Sequence, residues 1–155
     1  MAKGETAPDF SLKDQRGESR TLAAYRSHWV VLYFYPRDDT PGCTLEACRF
    51  RDDYLEARNL GVEILGISVD STERHARFSG KYGLPFPLLA DTDGNVARQY
   101  GVLWSFGPIR FARRRTFIID PRGKIEKIYR NVSPEGHSRE VIEDLRRLQQ
   151  STYES

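Results

Sequence analysis

Long hydrophobic runs are missing from this chain. No stretch approaches the ~20 apolar residues that a membrane-spanning helix needs, so no membrane association is expected. The opening residues, MAKGETAPDF, contain no apolar h-region, so no secretory signal is expected and a cytoplasmic location fits. Charge of one sign is not in excess either. The 24 Lys and Arg stand against 22 Asp and Glu, a net +2, which gives no argument for nucleic acid as a partner despite the local basic cluster at 110–115. Internal repeats, low-complexity tracts and linker-like shifts of composition are absent, so residues 1–155 are expected to form one domain. Its 39% hydrophobic content and 18 aromatics are enough for a real core. The three histidines, His28, His75 and His137, have no H-x3–5-H spacing and no pairing with cysteine; they are read as surface or packing residues, with no zinc and no other cofactor. Cysteine is scarce: two residues, both within Pro36 to Cys48, PRDDTPGCTLEAC.

Hydrophobic periodicity places these segments on elements. Phe10-Ser11-Leu12 and Thr21-Leu22 flank a polar turn and read as a small hairpin. Val30 to Tyr35 has the β-branched and aromatic content of a buried strand. A helix is predicted from about Thr44 to Ala57, stopped by Asn59 and Gly61, then a strand over Val62 to Ser68. Ser71-Thr72-Glu73 opens a helix reaching Tyr82, ended by Gly83 and Pro85. Leu88 to Ala90 reads as a short strand and Asp93 to Tyr100 as a short helix. Thr116 to Asp120 and Lys124 to Tyr129 form an antiparallel pair about Pro121-Arg122-Gly123, and Val141, Ile142, Leu145 and Leu148 mark an amphipathic helix over 138–149. Strands alternating with helices, then a hairpin and a terminal helix, argue an α/β domain with a central mixed sheet.

Pro36, Pro41 and Gly42 punctuate the loop after the first long strand, and Leu45-Glu46-Ala47-Cys48 begins a run of helix formers. Cys43 therefore falls at or just before a helix N-terminus. Unpaired N–H groups and the helix dipole favour an anion there, and a thiol so placed is favoured toward the nucleophilic thiolate. Two cysteines taken alone are as readily small buried hydrophobes. The neighbours decide otherwise: Thr40 supplies a hydroxyl three residues before Cys43, prolines stiffen both sides, and Cys48 follows at +5.

Pro36, Thr40 and Cys43 in a Pro-x3-Thr-x2-Cys pattern resemble the active-site signature of peroxiredoxins. The longer Asp-Asp-Thr-Pro-Gly-Cys string, with its second cysteine, is similar to the peroxiredoxin Q group, also called bacterioferritin comigratory proteins. The resemblance covers nearly the whole chain. It implies a thioredoxin-like fold, a central mixed β-sheet flanked by helices with an N-terminal hairpin extension. It also implies a thiol peroxidase acting on hydrogen peroxide and organic hydroperoxides. Cys43 would become a sulfenic acid, Cys48 would condense with it to an intramolecular disulfide, and thioredoxin or a similar dithiol would reduce that bond. Thr40 would contact peroxide and sulfur, Pro36 would shield the thiolate, and Arg114, in Arg114-Arg115-Thr116-Phe117, would be the family's arginine.

Around these residues, Arg113 and Arg115 are read as solvated charges, and Asp38 and Asp39 are expected to face solvent. Glu46 is expected to complement the helix dipole, with orientation of Arg114 as the alternative. The segment Val102 to Pro108 departs from the family's usual pattern. The chain also lacks the Gly-Gly-Leu-Gly loop and C-terminal Tyr-Phe pair of sensitive peroxiredoxins, which implies resistance to over-oxidation. A monomer or weak homodimer is expected. Two other readings stand beside the peroxidase: a general thiol–disulfide oxidoreductase, for which C-x4-C replaces the expected C-x-x-C, and a redox sensor or holdase.

Overall fold

The apolar run that begins at Val30 alternates between two cores. In the computed structural model, Val31, Tyr33 and Tyr35 join Phe50, Phe78 and Val141 in one buried cluster. Val30, Leu32 and Phe34 join Ala97, Tyr100 and Phe117 in the other. Period-two alternation with both faces covered explains why this segment is apolar at every position. Each large side chain fully buried in this way contributes roughly 1.5–3 kcal/mol. The structure describes the backbone of residues 1–154 and the side chains of residues 1–151. The last residues of the C-terminal tail, which bear on the over-oxidation expectation, lie outside that range.

The strands are β1 (Ser11–Lys13), β2 (Ser19–Thr21), β3 (Trp29–Phe34), β4 (Val62–Ser68), β5 (Leu88–Ala90), β6 (Leu103–Phe106), β7 (Ile109–Ala112), β8 (Arg115–Ile119) and β9 (Ile125–Tyr129). The helices are α1 (Pro41–Asp52), α2 (Tyr54–Asn59), α3 (Thr72–Tyr82), α4 (Asn95–Gln99) and α5 (His137–Glu154). Among the described residues, seven strands form one sheet in the order β2-β1-β5-β4-β3-β8-β9. β3, β4 and β5 run parallel, while β8, β9 and the N-terminal hairpin are antiparallel. This is the expected mixed sheet, with helices on both faces.

The central order brings β3 and β8 side by side, with Phe34 opposite Arg115 and Tyr33 opposite Thr116. The loop leaving β3 and the entry to β8 therefore meet at one end of the sheet, which is where the site forms.

Several boundaries differ from expectation; the terminal helix, for one, runs from His137 to Glu154. The helix predicted over 44–57 starts earlier, with Pro41 at its first position and Thr40 as an extended N-cap, so Cys43 lies within the first turn. It breaks at Asp53, whose φ of −96° and ψ of 4° interrupt the spiral before α2. The Asp53 carboxylate accepts from Ser138 Oγ at 2.6 Å and Arg139 at 3.2 Å, a tie to α5 that periodicity cannot reveal. The segment 102–112 folds as an outlying β6–β7 hairpin. Gly107 takes a φ of 59° at the first turn position, as a two-residue hairpin turn requires.

Gly66 on β4 is required by packing. A Cβ there would lie 2.9 Å from the Tyr33 ring and 3.0 Å from Leu88. Gly80, in α3, has open space around it. Gly66→Ala should therefore cost about 1–3 kcal/mol by overpacking. Gly80→Ala should gain about 0.5–1 kcal/mol from helix propensity. Urea unfolding of both variants checks the pair; a stable Gly66→Ala protein would show that Tyr33 is free to move.

Candidate active site

The β3–α1 loop and the start of α1 hold Cys43 buried, with 2% of its surface exposed. Arg114, at the entry to β8, reaches across the sheet end. Its Nη2 donates to Cys43 Sγ at 3.3 Å and its Nη1 to Glu46 Oε1 at 2.7 Å. Glu46 lies one turn beyond Cys43 on α1 and is itself buried. Its role is thus to hold Arg114, which corrects the expectation that it only complements the helix dipole. Gly42 permits the approach, since a Cβ there would stand 3.1 Å from Arg114 Nη2.

Burial pushes the Glu46 carboxyl up to about 7, although the charge and hydrogen bond of Arg114 act to lower it. For Arg114 the balance goes the other way: burial disfavours its charge, but Glu46 and Cys43 together raise it. Among the described residues, Glu46 Oε2 and the Tyr33 hydroxyl are buried with no hydrogen-bond partner. Burial first, and then the charge of Glu46, hold the Tyr33 hydroxyl well above its usual range.

Thr40 departs from its expected contact. Its Oγ1 donates to the Arg37 carbonyl at 2.9 Å rather than to sulfur, because the loop turns back on itself just before the helix. With its proton so engaged, the hydroxyl keeps lone pairs to accept with. Pro36 opens the loop, half-buried. Cys48 is half-buried and unbonded to Cys43; it lines a shallow groove with Thr44, Leu45 and Tyr82. Arg113 is exposed as expected, whereas Arg115 is half-buried and donates to the Arg114 carbonyl at 2.9 Å.

Asp39 faces outward, held by Lys81 and Tyr82 at 3.0 Å each, with a φ of 58°. Asp38 is the contrary case, 3% exposed, and it corrects the solvent-facing expectation. Its carboxylate is tied to Tyr35 and His75, so its charge is compensated inside the protein. His75 and His137 are both buried. His137 Nε2 lies 2.8 Å from Thr116 Oγ1, bracing the strand behind Arg114. Burial lowers the His137 imidazole, with Glu140 opposing. Scattered spacing in sequence hid both histidines, whose partners are 21 and 37 residues away.

This arrangement can bind an oxyanionic or peroxide group between a helix N-terminus and a fixed guanidinium, beside a nucleophilic sulfur. The AhpC/TSA family model matches residues 3–128. The chain belongs to that family. A putative peroxiredoxin bcp of Coxiella burnetii is 46% identical over 90% of this chain and 95% of its own length. The crystal structure of peroxidoxin BcpB from Mycobacterium tuberculosis superposes with a TM-score of 0.89 at 38% identity, covering 94% of this chain and 97% of that one. Structures of the Xanthomonas campestris bacterioferritin comigratory protein match at 0.83 and 35% identity, over 88% and 90% of the two chains. Within the family the chain is thus a peroxiredoxin of the Q group, with a thioredoxin-like fold. Among the described residues, no helix is long and apolar enough to cross a membrane.

The buried Glu46 makes stability depend on pH. Its folded value, about 7, lies above the ordinary 4.5, so the stabilisation of its protonated form is complete below about 4.5 and is lost as pH rises through about 7. Glu46→Gln keeps an acceptor for Arg114 and removes that titration. The unfolding free energy of the wild type relative to this variant should fall over that window and level off above it. Urea titrations across the window measure it, and parallel curves would mean that Glu46 does not titrate there.

Proposed function

We propose that this chain is a thiol-dependent peroxidase in which Cys43 reduces hydrogen peroxide and organic hydroperoxides, Cys48 resolves the product, and a thioredoxin-like dithiol closes the cycle. The observation that carries the reading is the Arg114 guanidinium shared between Cys43 Sγ and buried Glu46. The alkyl peroxide reduction described for the Xanthomonas relative supports the substrate class.

The Cys43 thiolate attacks the terminal oxygen of ROOH. The S–O bond forms as the O–O bond breaks, leaving Cys43 as a sulfenic acid and RO⁻, which takes a proton to become ROH. Negative charge moves from sulfur to the leaving oxygen. Arg114, already aimed at the sulfur and unable to deprotonate, stabilises that shift without reorganising. N–H groups of the first α1 turn donate to the peroxide oxygens, Thr40 Oγ1 accepts from the peroxide O–H, and half-buried Pro36 limits water. The Cys48 thiol then displaces water from the sulfenic acid to form the disulfide. An external dithiol then attacks that disulfide; through a mixed disulfide both cysteines return as thiols and the dithiol leaves oxidised. One domain over residues 1–155, a cytoplasmic setting and a monomer or weak homodimer complete the reading.

Both cysteines lie on α1, five residues apart. On an intact helix that is a rise of about 7.5 Å, and their Cα atoms stand on the order of 8.6 Å apart. A disulfide tolerates only about 7 Å, so resolution unwinds α1. Oxidation should therefore lower amide-exchange protection across about Thr44 to Asp53 while the region of Leu145 in α5 stays protected. Unchanged protection in a chain carrying the bond would falsify this account.

Peroxide consumption coupled to thioredoxin, thioredoxin reductase and NADPH tests the reading as a whole. Cys43→Ser should abolish turnover; Cys48→Ser should leave the first oxidation fast but stop recycling. Arg114→Ala should slow the first oxidation by about a hundredfold or more, the scale of losing a preorganised donor, and Arg115→Ala far less. Normal thioredoxin-supported cycling by Cys48→Ser would rule out its resolving role. Equal arginine effects would rule out the assignment of Arg114.

A further inference from the structure

Behind the β3–α1 loop lies a buried polar cluster that the peroxidase chemistry does not use. His75, on α3, is fully buried; its Nε2 lies 3.0 Å from the Leu89 carbonyl on β5 and its Nδ1 2.6 Å from Asp38 Oδ2. Asp38 Oδ1 accepts from the Tyr35 hydroxyl at 2.5 Å, and the Asp38 N–H donates to Asp70 Oδ2 at 2.8 Å. Asp70 is held in turn by Ser68 Oγ at 2.6 Å and Arg74 Nε at 2.8 Å. Asp38, Asp70 and His75 have the donor types of a metal site. Every one of their oxygens and ring nitrogens is already engaged by a protein group, so the cluster is a closed hydrogen-bond network instead.

The network constrains where protons are. A carbonyl oxygen only accepts, so His75 Nε2 carries a hydrogen. A neutral imidazole would then present a bare lone pair at Nδ1, facing a carboxylate oxygen at 2.6 Å. Two acceptors cannot share that contact. Tyr35 cannot supply the missing proton, since burial and then the charge of Asp38 keep its hydroxyl protonated, and it already donates to Oδ1. The Nδ1···Oδ2 contact itself contains a proton, and the pair carries no net charge as imidazolium–carboxylate or as imidazole–carboxylic acid. The nearby charges, Asp70 and Arg74, compensate each other.

We propose that His75 is a positioning residue for the peroxidatic cysteine: through a proton shared with Asp38 it pins the loop before α1 to α3 and β5, so that Cys43 is presented to Arg114. Asp38 stands two residues before the N-cap Thr40 and five before Cys43, and its anchors lie wholly outside α1. The loop therefore stays fixed when the first turns of α1 unwind, and a reduced Cys43 returns to the same guanidinium. This rests on the peroxidase reading of Cys43.

The test begins with the reduced wild-type chain at neutral pH, before any peroxide is added. Nitrogen-15 NMR of the histidine rings should show a far-downfield proton on His75 Nδ1 with Nε2 also protonated, unlike exposed His28. A His75 ring without that proton overturns the proposal, and this readout stands whether or not the chain proves to be a peroxidase. Stopped-flow oxidation of Cys43 by hydrogen peroxide then runs beside alkylation by iodoacetamide. His75→Ala should slow peroxide oxidation about tenfold and alkylation much less, because it displaces the sulfur from Arg114 without removing the thiol. Adding Asp38→Asn should slow peroxide oxidation little further, since the bond that it would alter is already gone. Equal slowing of both reactions, or simply additive losses, overturns the positioning role. If His75→Ala fails to fold, Asp38→Asn alone decides: it keeps a neutral bond to Nδ1, so the fold should persist while the downfield proton vanishes. Persistence of that proton overturns the pairing. A wild type that consumes no hydroperoxide refutes the peroxidase reading instead.

Discussion

A single guanidinium joins the two halves of this site. Arg114 comes from the strand entry beside β3, Cys43 and Glu46 come from the helix that follows β3, and the hydrogen bonds between them span 68 and 71 residues of sequence. A buried carboxylate without a partner is costly, and so is a half-buried cation. Each offsets the other here, and the sulfur is the third corner. Glycine at position 42 follows from this arrangement, because any side chain there would meet the guanidinium. So does the raised carboxyl of Glu46, which is what a buried acid with one remaining unpartnered oxygen should show.

In the proposed cycle the reduced helix is the element that must open. Its interior face is packed by Ala47 and Phe50 at no measurable exposure, and its far end is tied through Asp53 to α5. Its outer face carries half-buried Cys48 and Leu45, which is 38% exposed. Local unwinding sacrifices the contacts of a short helix and leaves the sheet and the terminal helix intact, which is the low-cost route by which a folded domain can bring distant thiols together. The loop ahead of the helix is held differently, by a closed polar network on one side and by the Asp39 contacts with Lys81 and Tyr82 on the other. In the proposed cycle the loop stays fixed while the helix moves.

Much of this was legible in the residues. β4 and β5 have their predicted bounds, α3 runs between its predicted Ser71 cap and Gly83 stop, and the antiparallel β8–β9 pair lies where the turn Pro121-Arg122-Gly123 required it. These are local signals: alternation, capping and turn chemistry act within a few residues. The β6–β7 hairpin carries its own local signal, Gly107-Pro108 between two short segments that contain Trp104, Phe106 and Phe111. The break in the helix at Asp53 had no local signal, since its cause is a hydrogen bond to Ser138 across 85 residues.

The sequence by itself determined the strand–loop–helix that presents Cys43, the second thiol at a spacing too wide for a bond on an intact helix, and the family to which the motif points. Those depend on residue type and separation along the chain, which the string of letters contains. Only the tertiary structure decided which carboxylates are buried and what they hold: Glu46 on Arg114, Asp38 on His75, and the Thr40 hydroxyl turned to Arg37 rather than to sulfur. A charged or polar side chain has the same identity in water and in the core. Its partner is chosen by how the sheet order brings distant segments together, and burial then sets how strongly that partner is needed.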